Sequence, residues 1–255
     1  MTTMDVQLIE DVLTSERVRD NHYRLDNPEV LFWTKSFRER ANIDQIFEKM
    51  KTMNETPSKT TANVVGASWL SFSSWVPKLL ILNALKVTSN LMRHYIIQIV
   101  FEELGSRKKE EIHSDLFAQT LREIGITNLD IWKVQDAFGL DLFNELYSKS
   151  ENASSDAEVL GLNLGLEINA KENIETLFNS LAYSEDARSR VENSLFFKIH
   201  KIVETEHIRL TVSNFLRFCP TEGDKHDFMN GFDYSIAYWN EFWDRNCSLV
   251  SSGDF

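Results

Sequence analysis

The sequence contains little cysteine, glycine or proline: two, nine and four residues among 255. The two cysteines, Cys219 and Cys247, form no CxxC pair, so we predict neither a disulfide framework nor a thiolate metal site. This cysteine usage is typical of a reducing compartment. Clean strand alternation is also hard to find, and apolar residues recur instead with the period of a helix.

Basic residues are scarce relative to acidic ones, with 27 Lys and Arg against 39 Asp and Glu and a net charge of -12. An acidic surface repels phosphate groups, so we expect neither nucleic acid nor an anionic membrane as a partner. The longest apolar stretch, residues 66–87, is interrupted by serines, Pro77, Lys78 and Lys86, and it is a poor candidate for a membrane span. With no signal peptide evident at the N-terminus, we expect a cytoplasmic protein.

The periodicity predicts an all-α protein. The gaps between its helices are too short for domain linkers, so residues 1–255 are expected to form one domain. The predicted helices cover residues 4–20, 28–40, 43–53, 62–86, 88–104, 108–124, 128–148, 155–182, 187–217 and 223–245.

One helix carries the strongest chemical signal. His200, Glu204 and His207 have offsets of 0, 4 and 7, which place them within an arc of about 60° on a helix. Phe196 and Phe197 flank this arc, so the three polar groups lie on the apolar face. Ionisable side chains are costly to bury without partners, and an interior metal ion would be such a partner. The pattern therefore predicts a metal site.

Three further residues lie on apolar helix stripes and extend the candidate ligand set: Glu103, His113 and Glu167. Gly161 and Gly165 precede Glu167 and would permit close approach of another helix. Carboxylates and imidazoles that project inward from several helices are typical of di-metal sites in helical bundles. Oxygen and nitrogen ligation without sulfur favours iron or manganese over structural zinc.

Each of these three residues also has a purely structural interpretation. Glu103 could be a surface charge at a helix end, and its neighbour Glu102 remains an alternative ligand. His113 could be a hydrogen-bonded core histidine. Glu167 could form an ion pair with Lys171 one helical turn later.

Taken in order, these motifs resemble those of the haem-oxygenase-like diiron oxidases and oxygenases. The resemblance covers roughly residues 65–217 and implies a haem-oxygenase-like bundle of about seven core helices plus short N-terminal helices. Its motifs are Glu103-Leu-Gly, a short loop leading to His113, Glu167 in a glycine-containing helix, and His200-x3-Glu204-x2-His207.

The resemblance implies that these six residues bind two Fe(II) ions per chain and that the protein is an O2-dependent oxidoreductase. The implied substrate is small and amino-acid-like or carboxylate-bearing, and the implied reactions are N-oxygenation, desaturation or oxidative C–C cleavage in a specialised biosynthetic pathway. A homodimer is also implied. Two departures are consistent with a second iron that is held weakly or binds only with substrate: no Asp or Glu occurs from 66 to 101, and Glu204 stands where Asp is frequent.

Further residues are candidates for binding the substrate. Trp69, Phe72 and Trp75 recur at helical spacing and could wall the cavity, although such a stripe is also typical of an ordinary core. A carboxylate substrate would require a cation, for which Lys171 and Arg93 are candidates.

Other functions remain open from the sequence. Glu110-x-x-His113 and Glu204-x-x-His207 fit the paired motifs of ferritin-like di-iron bundles, but that fold leaves His200 unexplained. A metal-free enzyme of the haem-oxygenase-like fold is a second alternative. A helical binding or scaffold protein with a structural polar cluster is a third.

Overall fold

The computed structural model describes residues 27–106 and 108–253, except for the side chains of 201–207. These residues form twelve α-helices and no strand, which confirms the predicted all-α class; the helix predicted over 4–20 lies outside them. The helices are α1 (Pro28–Ala41), α2 (Ile43–Asn54), α3 (Lys59–Lys86), α4 (Asn90–Glu103), α5 (His113–Glu123), α6 (Asn128–Phe138), α7 (Asp141–Glu151), α8 (Asp156–Glu167), α9 (Ala170–Leu181), α10 (Glu185–Asn193), α11 (Leu195–Phe218) and α12 (Glu222–Ser252).

Three of the predicted helices were wrong in extent, because each is two helices in the structure. Gly139, with φ of 79°, separates α6 from α7. Asn169, with φ of -115° and ψ of 20°, interrupts the segment predicted over 155–182. Ser194 ends α10 and caps α11, where its hydroxyl accepts a hydrogen bond from the Phe197 N–H at 3.4 Å. The apolar period runs on through all three breaks, which is why the sequence pattern did not show them.

Helix α12 packs along α8 through direct backbone contact. A Cβ atom on Gly161 would lie 1.9 Å from the carbonyl oxygen of Phe228, and one on Gly231 would lie 2.1 Å from that of Glu158. No larger residue fits at either position without moving a backbone. This contact confirms that the glycines of α8 allow another helix to approach closely, and it holds Glu167 at the C-terminal end of α8.

Tryptophans of α12 fill the centre of the bundle. Trp239 stacks on Trp69 of α3 with ring centroids 5.9 Å apart, and its indole N–H donates to the Leu166 carbonyl at 3.2 Å. The indole N–H of Trp243 donates to Asn173 Oδ1 at 2.9 Å. Both indoles are almost completely buried, and both polar edges are satisfied.

Helix α3 packs against α4, α6 and α9 and passes beside the candidate site. It is the one helix of the described residues that is long and apolar enough to cross a membrane, and 67% of its most apolar window is buried within the bundle. Such burial is the pattern of a core helix. Pro77 lies inside α3, nine residues before its end at Lys86.

Candidate metal centre

A tight turn brings Glu103 and His113 together. Glu103 is the last residue of α4, and Gly105 follows with φ of 82°, where a Cβ atom would lie 2.4 Å from the Lys108 carbonyl oxygen. The chain then makes one short 3-10 turn over Lys109–Glu111 and enters α5 at His113. As a result, Glu103 Oε2 lies 3.2 Å from His113 Nδ1.

His113 is 5% exposed, and its Nδ1 atom makes no hydrogen bond within the described residues. The carboxylate of Glu103 lies within ion-pair distance of this atom but does not form a hydrogen bond with it. Buried polar atoms are nearly always satisfied, so an exception requires an explanation. A cation between the carboxylate and the ring nitrogen would supply one, because both groups would then offer lone pairs to it.

His200 enters the same site from α11. Its ring centroid lies 4.6 Å from that of His113. Its Nδ1 lies 2.8 Å from the carbonyl oxygen of Phe196, one turn earlier, and a carbonyl can only accept. The proton of the neutral imidazole is therefore on Nδ1, and Nε2 is the nitrogen that can bind a metal. A backbone carbonyl that fixes the tautomer in this way is a common partner of metal-binding histidines.

Glu103, His113 and His200 each offer one ligand atom, and these three atoms lie within 4.8 Å of one another. Donor atoms that share one ion at about 2.1 Å lie at most about 4.2 Å apart, so small side-chain movements would suffice. Two imidazoles and one carboxylate with room for further ligands are typical of non-haem iron sites. The residues therefore fit the predicted iron.

Glu167 lines the same buried cavity as these three residues. It approaches from α8, the helix held by the glycine contact with α12. Four of the six predicted ligands are thus brought to one cavity from four helices. Glu204 and His207 follow His200 on the continuous helix α11, but their side chains lie outside the described residues. Their role as ligands stays a prediction.

The structure also decides between neighbouring carboxylates. Glu103 lines the cavity and Glu102 does not, so Glu103 is the better ligand candidate. Glu110, which a ferritin-like site would require beside His113, is exposed on the short 3-10 turn.

The cavity has a volume of about 70 Å³ and is mostly apolar. Trp69 and Phe72 line it as predicted. Trp75 does not, and instead stacks on Phe143 with centroids 6.3 Å apart and contacts Tyr147. The sequence did not single out the further wall residues on α8, α9, α11 and α12. The principal apolar walls are Trp69, Phe72, Leu166, Ile174, Phe196 and Trp239.

Neither predicted substrate cation reaches the cavity. Lys171 lies on an outer groove with its side chain 67% exposed, and it forms a 3.7 Å ion pair with Glu175. Arg93 donates to the carbonyls of Ala84 and Val87 at the end of α3. Among the described residues that line the cavity, none is a Lys or Arg.

Three polar residues that the sequence did not single out also line the cavity: Asn173 on α9, Ser73 on α3 and Asn163 on α8. Sequence signals could have indicated the last two. Pro77 deprives the residue four positions earlier, Ser73, of a backbone hydrogen bond. Asn163 precedes Glu167 by one helical turn and so shares its face.

The fold and the site thus define an all-helical protein with a candidate metal centre, in which two imidazoles and two carboxylates meet at one buried cavity. Residues 71–240 match the family described as iron-containing redox enzymes. The chain belongs to this family, and the predicted resemblance is confirmed. None of the curated proteins matches the sequence.

Two crystal structures of a CADD-like protein of unknown function from Nostoc punctiforme have a similar fold. The first has a TM-score of 0.70 and 16% sequence identity, and the alignment covers 87% of this chain and 98% of that chain. The second has a TM-score of 0.63 and 16% identity, with 89% and 98% covered. At this identity the likeness shows the fold alone, which is the predicted haem-oxygenase-like bundle. The ferritin-like alternative is therefore wrong.

Proposed function

We propose that this iron-containing redox enzyme is a non-haem di-iron, O2-dependent oxidase or oxygenase that acts on a small organic molecule. The observation that carries the proposal is the convergence of Glu103, His113 and His200 on one buried cavity, with ligand atoms within 4.8 Å of one another. Iron bound by these residues and Glu167 would supply the activation of O2. Glu204 and His207 complete the proposed ligand set for two ions.

The chain's own residues prepare this chemistry. The hydrogen bond from His200 Nδ1 to the Phe196 carbonyl fixes the tautomer before any metal arrives, so Nε2 needs no proton loss to bind. The Gly105 turn fixes Glu103 against His113. Preorganised ligands of this kind lower the cost of assembling the site.

The aromatic walls of the cavity exclude water from the reacting centre. Trp69 and Phe72 of α3 and Trp239 of α12 pack against one another, with Phe72 and Trp239 centroids 4.8 Å apart. A dry site protects reactive species from side reactions with water. The proposal keeps N-oxygenation, desaturation and C–C cleavage as outcomes, and it keeps the expected homodimer and cytoplasmic location.

The convergence of Glu103, His113 and His200 favours a metal-binding protein over the metal-free alternatives. Two imidazoles and a carboxylate with ligand atoms within 4.8 Å of one another are costly to bury, and a bound cation would offset that cost.

Anaerobic titration of the metal-free chain with Fe(II) tests the proposal. We expect saturation near two ions per chain, followed by an iron-dependent visible absorption change on rapid mixing with O2. Because His200 offers its Nε2 to the ion, His200→Ala should weaken Fe(II) binding by at least about 100-fold, more than the loss typical of outer partners of a metal ligand.

The matched control is His226→Ala, since His226 lies on α12 with its side chain 75% exposed. This variant should bind iron and react with O2 as the unmodified chain does. Absence of Fe(II) uptake by the unmodified chain, or equal uptake by the His200 variant, would overturn the proposal.

A further inference from the structure

The helix that carries Glu167 is interrupted directly after this residue, and the break leaves carbonyl groups without their regular donors. In a continuous helix, the carbonyls of Leu166 and Ile168 would accept from the N–H groups four positions later. Helix α8 instead ends at Glu167, and Asn169 separates it from α9. No backbone N–H of the described residues donates to either carbonyl. Carbonyls at a helix end therefore need donors from elsewhere.

Side chains of two other helices supply these donors. The indole N–H of Trp239 on α12 donates to the Leu166 carbonyl at 3.2 Å. The guanidinium of Arg38 on α1 donates to the Ile168 carbonyl at 3.0 Å. Because Leu166 and Ile168 are 8% and 0% exposed, water is a poor substitute for either donor. The backbone is thus held on both sides of Glu167.

A carboxylate of α9 fixes Arg38 in turn. Both Nη atoms of its guanidinium donate to the carboxylate of Glu172, which lies in the first turn of α9. The planar guanidinium can hold a carboxylate at two points and reach a carbonyl at the same time, which a lysine cannot do. Arg38 therefore joins α1 to both sides of the break, through Ile168 before it and Glu172 after it.

The segment that Arg38 holds forms part of the cavity wall. Glu167 lines the cavity from the end of α8, and Ala170, Asn173 and Ile174 line it from α9. Arg38 is not among the lining residues and lies in an outer groove. Any effect of Arg38 on the metal centre must therefore pass through the backbone that it holds.

We propose that Arg38 is a positioning residue for Glu167. Its bonds to the Ile168 carbonyl and to Glu172 fix the end of α8, so that the Glu167 carboxylate stays at the metal centre. The role of Glu167 as an iron ligand rests on the function proposed above, whereas the bonds of Arg38 rest on the structure alone. Outer partners of metal ligands typically contribute about 10- to 100-fold to metal affinity.

The Fe(II) affinity of the metal-free chain, measured by anaerobic titration, tests this role. Arg38→Met should weaken Fe(II) binding by about tenfold. Arg40→Met is the matched control. Arg40 lies on the same helix and holds Asp233 of α12 at two points, at 2.9 and 2.6 Å, but none of its hydrogen bonds among the described residues reaches the α8–α9 break. This variant should bind Fe(II) as the unmodified chain does.

A double-mutant cycle separates positioning from a general loss of structure. Glu167→Ala alone should weaken Fe(II) binding, because it removes a proposed ligand. If Arg38 acts through Glu167, adding Arg38→Met to this variant should cause no further loss, since the positioned group is gone. Arg38→Lys keeps the charge without the planar fork, and it takes the place of Arg38→Met in the same cycle if the methionine variant does not fold.

Hydrogen exchange of the metal-free chains, measured by mass spectrometry, gives a readout that does not depend on iron. The amides of residues 168–173 should exchange faster in Arg38→Met than in the unmodified chain, because the break loses its clamp. Arg40→Met should leave their exchange unchanged.

Equal Fe(II) affinities of Arg38→Met and the unmodified chain, equal losses in the two arginine variants, or an undiminished loss in the Glu167→Ala background would overturn the inference. An unchanged affinity in Glu167→Ala would overturn it as well. Absence of Fe(II) uptake by the unmodified chain contradicts the proposed di-iron function instead. Hydrogen exchange then decides on Arg38 alone: faster exchange confined to Arg38→Met supports its role at the end of α8, and unchanged exchange contradicts it.

Discussion

Helix α8 takes part in two regions that are built in opposite ways. Along its glycine face it meets α12 backbone to backbone, and the polar groups between the helices are paired: Ser235 Oγ donates to the Leu162 carbonyl at 2.9 Å, and Trp239 donates to Leu166. At its C-terminal end, Glu167 lines a cavity where neither His113 Nδ1 nor the Ser73 hydroxyl makes a hydrogen bond to any described residue.

This difference separates the α8–α12 contact, which is a structural scaffold, from the cavity, which is the candidate binding site. The α8–α12 contact satisfies its own hydrogen-bonding groups, and so it gains stability from the chain alone. The cavity keeps unsatisfied polar atoms, which cost stability until something binds them. Residues that look equally buried in the two regions should therefore respond to substitution in different ways.

The largest effect is expected at the glycine contact. Gly161→Ala places a Cβ atom 1.9 Å from the Phe228 carbonyl oxygen, so the two backbones must separate. We expect the free energy of unfolding to fall by about 3 kcal/mol or more, measured by urea denaturation. Gly223→Ala is the control, because its nearest neighbour is Thr221 Oγ1 at 3.7 Å; it should be neutral or stabilising by up to about 1 kcal/mol. Equal losses in both variants would refute the rigid contact.

At His113 we expect a smaller effect on the stability of the metal-free chain. Its stabilisation by Fe(II), in contrast, should be lost. His113→Leu removes a buried nitrogen that makes no hydrogen bond within the described residues, although Glu103 loses its contact with the ring. The metal-free chain should therefore keep its free energy of unfolding to within about 1 kcal/mol. The rise in melting temperature that Fe(II) gives the unmodified chain should disappear, since metal stabilises only a state that binds it. Differential scanning calorimetry with and without Fe(II) measures both.

Asn246→Leu is the counterpart at a paired polar residue of α12, where this helix contacts α3. Asn246 is fully buried, accepts from Ser68 Oγ at 2.6 Å and donates to the Phe242 carbonyl at 2.8 Å. Loss of these bonds should lower the free energy of unfolding by about 1–3 kcal/mol and leave the effect of Fe(II) intact. If His113→Leu destabilises the metal-free chain as much as Asn246→Leu, the contrast between the regions is wrong.

The smallest effect is expected at the outer edge of the scaffold. Arg245 of α12 donates to both carboxylate oxygens of Asp141 at 2.8 Å, and these hydrogen bonds lower the pKa of Asp141 from 3.8 to about 2. The unfolded chain binds more protons in this range, so the stabilisation is complete above about pH 4 and is lost as the pH falls toward 2. Because the carboxylate is 56% exposed, we expect a loss below about 1 kcal/mol. Urea denaturation of the unmodified chain from pH 6 to 2 should show this loss, and Asp141→Asn should reduce it.

Most helix positions could be predicted from the local spacing of apolar residues. Helical periodicity placed the helices, and the turn residue Gly105 marked the end of α4. The breaks at Gly139 and Ser194 were missed because apolar spacing continues through them, although both residue types favour helix ends. The prediction ended α12 too early, at 245, whereas the helix continues to Ser252 before Gly253 adopts φ of 67°.

The sequence predicted only part of the candidate site. The ligands Glu103, His113 and Glu167 could be proposed because apolar stripes show which face of a helix is buried. The interpretation of Lys171 was wrong because Asn169 interrupts the predicted helix. Glu167 ends α8, whereas Lys171 lies on α9 and pairs with Glu175 on the surface.

The sequence by itself determined an all-helical chain, an acidic surface, and a helix that carries His200, Glu204 and His207 on one face, because periodicity, charge and spacing are local properties. Only the tertiary structure decided that Glu103 rather than Glu102 lines the cavity and that no predicted cation does. It alone brought Ser73 and Asn163 to the same cavity. These outcomes depend on how α3, α4 and α8 cross, and the backbone contact between α8 and α12 sets where α8 lies in the bundle.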